Sequence, residues 1–98
     1  MPQIEVSRIE TEPMSSTFRV RVADDDGSTS EHDVTLSNVD RKRLGGPYPS
    51  AEDFIRACFV FLLAREPKES ILRSFDVGLI STYFPEFEQE INRQDGAE

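Results

Sequence analysis

Thr17-Phe18-Arg19-Val20-Arg21-Val22, the connector Asp24-Asp25-Asp26-Gly27-Ser28-Thr29, and Asp33-Val34-Thr35-Leu36-Ser37 are the residues whose reading decides the fold. Phe18, Val20 and Val22 alternate with polar neighbours, as do Val34 and Leu36, which is the period-two signature of half-buried strands. The connector joins turn-forming carboxylates to a glycine that accepts positive φ, so the two strands form an antiparallel hairpin. Registers in which paired residue numbers sum to an even value put Val20 and Val22 on the face of Val34 and Leu36. Arg19 and Arg21 then stand opposite Asp33, Thr35 or Glu31, giving a charge-paired, wet outer face. Upstream, Ile4 and Val6 alternate with Glu5 and Ser7 as a further strand. The link Thr11-Glu12-Pro13-Met14-Ser15-Ser16 separates it from the hairpin, because Pro13 cannot continue a strand.

Downstream the period changes. Asn38 reads as the cap of a short helix reaching Leu44 and stopped by Gly45-Gly46-Pro47. Ser50 opens the main helix, with Glu52 and Asp53 favourable in its first turn, and the helix runs to about Arg65 before Glu66-Pro67. Pro67 suits the start of a short helix over Lys68–Arg73. Asp76 caps another over Val77–Phe84, and Pro85 starts the last, ending near Arg93. The fold class expected is α+β: a three-stranded antiparallel meander packed by one long helix and closed by short C-terminal helices. Residues 1–93 form a single domain, and 94–98 are expected to fray.

The main helix is apolar nearly all round. Phe54, Ile55, Cys58, Phe61 and Leu62 make a core stripe, while Phe59, Val60 and Leu63 carry apolar surface onto the flank. One sheet face cannot cover both. Three covers fit: the C-terminal helices through Ile71, Leu72, Phe75, Ile80, Tyr83, Phe84, Phe87 and Ile91; the same helix of a second subunit; or another protein.

Composition narrows the function classes. The chain has 98 residues and a formal net charge of −8, with 37% apolar residues, seven Phe, one Cys and one His. A balance this acidic repels nucleic acid and anionic lipid and suits a basic protein partner. The longest apolar run, residues 57–64, is far below the ~20 residues that cross a bilayer. Met1-Pro2-Gln3-Ile4-Glu5 lacks the pattern of a secretory signal, and a lone Cys58 forms no internal disulfide, so a cytoplasmic location is expected.

Motifs with chemical meaning are few. Asp24-Asp25-Asp26-Gly27 resembles part of a calcium loop, but aligning Gly27 at the sixth position puts Val22 at the first and Asp33 at the twelfth, so the turn reads as solvated. His32 has no second imidazole or nearby thiol with which to hold a transition metal and reads as boundary packing. Cys58 sits among Ala57, Phe59 and Phe61, which raise a thiol pKa. Glu52/Asp53 and Glu86/Glu88/Glu90 lie at helix starts or on wet faces. Gly45-Gly46 lacks the Lys-Ser/Thr of a phosphate loop. Residues 75–83 suggest a helix-turn-helix, but Val77 precedes Ile80 by three positions rather than about five, and the second helix offers Ser81 and Thr82 with no basic residue. Arg41-Lys42-Arg43 is the one concentrated basic cluster. The sequence therefore assigns no catalytic, cofactor-binding or metal-ligating residue. It offers an interaction surface drawn from Phe59, Val60, Leu63, Arg41, Lys42 and Arg43.

The stretch Phe61-Leu62-Leu63-Ala64-Arg65-Glu66-Pro67-Lys68-Glu69-Ser70-Ile71-Leu72, followed by Tyr83-Phe84-Pro85-Glu86, resembles a group of small uncharacterised bacterial proteins. The resemblance implies a bacterial intracellular origin and Pro-interrupted helices as a packing feature, and it implies no catalytic residue. The expected function is a non-enzymatic protein-interaction or regulatory module, alone or as a homodimer. The alternatives are an antitoxin-like acidic partner of a basic protein and a small-molecule enzyme with an unassigned carboxylate site.

Overall fold

The structure, a computed structural model, describes the backbone of residues 2–96 and the side chains of residues 2–92. Strands β1 (Gln3–Thr11), β2 (Ser15–Ala23) and β3 (Thr29–Ser37) form the expected antiparallel meander. Arg19 pairs in register with Asp33, Val20 with His32 and Arg21 with Glu31, so every pair sums to an even number. Gly27 takes φ +90° in the connecting turn. On the outer face the Arg19 guanidinium donates to both Asp33 carboxylate oxygens, at 3.0 and 3.4 Å.

A fourth strand, β4 (Ser74–Asp76), adds parallel to β3 and makes the sheet mixed. The meander alone is therefore incomplete. The outer edge of β3 supplies the missing bonds: the Asp33 N–H donates to the Arg73 carbonyl at 2.7 Å, and the Val77 N–H to the Thr35 carbonyl at 2.9 Å. These bonds hold residues 73–77 extended, so the helix expected over Lys68–Arg73 shrinks to one 3-10 turn at Lys68–Ser70.

The helices are α1 (Asn38–Gly45), α2 (Ala51–Leu63), α3 (Gly78–Tyr83) and α4 (Phe87–Gly96). Ser50 caps α2, its hydroxyl accepting from the Asp53 N–H at 3.1 Å. The cap of α1 is Ser37 rather than Asn38: the Ser37 hydroxyl accepts from Asp40, leaving the Asn38 amide to tie down the Pro13 carbonyl. The Asp76 carboxylate accepts from the Gly78 N–H at the start of α3. Helix α4 passes the expected end at Arg93, because no glycine or proline interrupts it before Gly96. The rest of the segment expected to fray, residues 97 and 98, lies outside the described residues.

The core forms where α2 crosses the sheet. Phe18, Val20, Val22, Val34 and Leu36 meet Phe54, Ile55, Cys58 and Phe59, and all are buried. Leu44 of α1 and Phe87 and Ile91 of α4 close the other flank. Phe61 meets the Phe87 ring edge-on at 5.0 Å and the Phe84 ring at 5.8 Å. Side chains of this size contribute about 1.5–3 kcal/mol each when fully buried. The near-continuous apolar surface of α2 is thus covered largely by its own chain. Among the described residues, no helix is long and apolar enough to cross a membrane.

Candidate functional site

Phe59 is fully buried, its ring 5.3 Å from His32 and 6.1 Å from Phe75. It is therefore no part of an exposed surface, because the unforeseen β4 covers it. Leu63 is half-buried and Val60 is 48% exposed. The basic cluster disperses as well. Arg41 turns inward to donate to the Gly45 and Tyr48 carbonyls, and Arg43 pairs with Asp40 at 3.1 Å and Glu88 at 2.9 Å. Lys42 and Arg43 are both exposed, while Arg41 is half-buried.

His32 is 2% exposed, and its ring joins two segments far apart in sequence. Its Nδ1–H donates to the Leu72 carbonyl at 2.8 Å, and Nε2 shares a hydrogen bond with the Ser30 hydroxyl at 2.8 Å. The acidic turn has an internal cation. Lys68 is buried, and its Nζ donates to Asp24 at 2.7 Å, to the Ser28 hydroxyl at 2.6 Å and to Glu69 at 2.7 Å. These bonds raise the Lys68 ammonium above the ordinary lysine range and hold Glu69 below the carboxylate range. Nothing in Glu66-Pro67-Lys68-Glu69 marks Lys68 as an inward residue. The available signal was the excess of acid in the turn, which needs a cation from somewhere. Among the described residues no group of three or more His, Cys, Asp or Glu could hold a metal ion.

The anchored Lys68 shapes a cleft. Helix α2 ends at Leu63, ahead of Pro67, Lys68 pins the chain against the β2–β3 turn, and the extended residues that follow must send Ile71 and Leu72 to opposite sides. Ile71 goes into the core, and Leu72 stays 48% exposed. Leu62, Ile71, Phe75 and Ile80 line a cleft of about 350 Å³, with Leu72 and the 64% exposed Tyr83 also on its wall and Glu66 and Ser70 as polar groups. Its size falls at the lower end of the ~300–1,000 Å³ typical of ligand sites. The adjacent Ile71 and Leu72 were the sequence signal for it: in extended chain two neighbouring apolar residues cannot both face inward.

A second recess, about 340 Å³, is more polar. Arg8, Ser16, Asn38, Arg41, Ser50 and Glu52 line it together with Phe18 and Leu36. Four of the five carboxylates flagged in the sequence stand in ion pairs: Glu52 with Arg8 at 3.8 Å, Asp53 with Arg56 at 3.5 Å, Glu86 with Arg65 at 3.2 Å and Glu88 with Arg43.

Among the described residues, four carboxyls sit below their ordinary range. Asp26 is held there by the Ser28 hydroxyl and N–H, and Glu69 by Lys68. Glu86 is held by its own backbone N–H and Arg65, and Glu88 by Arg43 and Ser81. A depressed folded-state pKa contributes stability above the unfolded value, and that stability is lost as pH falls through the folded value. The melting temperature should accordingly change little from pH 7 to 5 and fall once pH drops below about 4.3, the unfolded glutamate value. Relief of the net negative charge acts in the other direction, but it is spread over a salt-screened surface. Circular dichroism melts at pH 7, 5, 4 and 3 check this, and a midpoint that holds or rises between pH 5 and 3 contradicts it.

No family model, no curated protein and no solved structure matches this chain.

Proposed function

We propose that the protein is a non-enzymatic interaction module whose cleft takes an apolar anchor residue of a basic protein segment. The observation that carries the reading is the pair of exposed apolar side chains, Leu72 and Tyr83, on the wall of a cleft with an apolar floor. Exposed apolar side chains grouped around a concavity are the usual mark of a binding site. Charge supports the choice of partner. Glu66 lines the cleft, Glu86 follows Phe84 by two residues, and the whole chain carries −8. A segment with Lys or Arg beside its anchor is attracted by that field, and an acidic one is repelled.

Selection from a displayed random-peptide library tests the reading. Enriched sequences should place Leu, Phe or Met next to Lys or Arg, and Leu72→Asp or Tyr83→Asp should weaken their binding at least about tenfold. Both residues are exposed, so the substitutions should move stability by no more than about 0.5 kcal/mol. A selection with no basic-apolar signature, or binding indifferent to both substitutions, overturns the proposal.

A further inference from the structure

Strand β1 stands at the end of the sheet, paired on one side with β2 and with no other strand among the described residues. Residues of an antiparallel strand turn their N–H and C=O groups alternately to the two sides. The Glu12 N–H donates to the Ser15 carbonyl at 2.8 Å, which fixes the phase. Stepping back through Glu10 and across the bulge between Arg8 and Glu10, Ser7 and Glu5 bond to β2. Ile4, Val6 and Arg8 therefore turn their backbone groups outward. The Arg56 guanidinium, reaching over the edge, donates to the Ile4 carbonyl at 3.4 Å, as that phase requires.

Two further features mark this edge as incomplete. Phe18, Val20, Val22, Val34 and Leu36, on the face covered by α2, are at most 3% exposed, whereas Ile4 and Val6 on the same face are only half-buried. Helix α2 also runs antiparallel along β1: Glu52 lies by Arg8 at 3.8 Å, and Arg56, one turn later, lies by Ile4.

We infer that β1 is the docking edge for a second copy of this chain, paired antiparallel about a two-fold axis through Val6. That axis sets Val6 against its own copy and Ile4 against the second copy's Arg8, so all three residues use their outward groups, in about six backbone hydrogen bonds. It also brings Arg56 to the second copy's Glu52, because each sits above one member of the Ile4–Arg8 pair. The interface is thus charge-complementary with itself, as a two-fold contact must be. Other axes fail on this sequence. One through Glu5 or Arg8 stacks like charges. One through Ile4 places Pro2, which has no N–H, opposite Val6. One through Ser7 runs Glu5 into the bulged Ile9. The same bulge ends the pairing after Arg8 and keeps the edge from recruiting longer strands.

Sedimentation velocity and concentration-dependent amide exchange on the intact chain test the inference. The wild type should dimerise near 100 µM, as a small interface allows. The amides of Ile4, Val6 and Arg8 should gain protection with concentration, while those of Glu5 and Ser7 are protected throughout. Val6→Pro removes an outward N–H and leaves the β1–β2 ladder intact, so it should weaken the dimer at least about tenfold. Arg56→Glu, on the exposed face of α2, should do the same by repelling the second copy's Glu52, and it decides the question if Val6→Pro proves misfolded. Leu72→Asp should leave the dimer untouched, which separates this edge from the cleft. A wild type that stays monomeric at several hundred micromolar, or a dimer that protects other amides or withstands Arg56→Glu, overturns the inference.

Discussion

Phe59→Glu should abolish the fold. The ring is fully buried between His32 and Phe75, so the substitution both empties an aromatic site and places a carboxylate there without a partner. Truncating a buried Phe costs about 3–5 kcal/mol even without a charge. Burying an unpaired carboxylate adds several more, against a total stability of ~5–15 kcal/mol for a domain of this kind. The expected result is loss of a cooperative melt by circular dichroism. Val60→Glu, one residue on and 48% exposed, should shift stability by no more than about 0.5 kcal/mol. A Phe59→Glu protein that keeps the wild-type melting temperature would mean that this ring faces a surface and not the sheet.

Cys58 should be nearly inert in the folded protein. The side chain is fully buried, and burial raises the thiol pKa, so neither access nor thiolate is available without opening the core. If opening draws on most of a global stability of at least ~5 kcal/mol, labelling by a thiol reagent at pH 8 should run about a thousandfold or more slower than in denaturing guanidinium. Rates within tenfold of each other would place Cys58 on a segment that opens locally.

The meander was readable because its signals are local. Strict alternation fixes which side chains share a face, and Gly27 fixes where the chain reverses, so residue types alone put Arg19 and Arg21 opposite Asp33, Thr35 or Glu31, and the structure selects Arg19–Asp33 and Arg21–Glu31 among these. Helix α2 was readable for the same reason: Ser50 can cap and Pro67 must interrupt. What could not be read depends on the vacant edge of β3. Ser74-Phe75-Asp76 has no strand signature of its own and is extended because Asp33 and Thr35 need partners. Two further differences follow from that one. Phe59 is covered because Phe75 lies over it, and the Leu72 side of the cleft exists because the segment leading to β4 is straight. Lys68 failed to stand out because a lysine after a helix-ending proline normally faces water.

The two polar pins on that segment bear on how the sheet is completed. The Lys68–Ser28 bond and the His32–Leu72 bond each span 40 residues, whereas the Arg19–Asp33 pair of the hairpin spans 14. Closing the longer loop costs about 1 kcal/mol more chain entropy, and a three-residue strand offers little backbone pairing to set against it. Both pins grip the turn end of the hairpin, on residues that are in place once that turn has closed. The hairpin is thus the template on which the distant fourth strand settles, and the slow, non-local part of assembly is confined to one junction of the sheet.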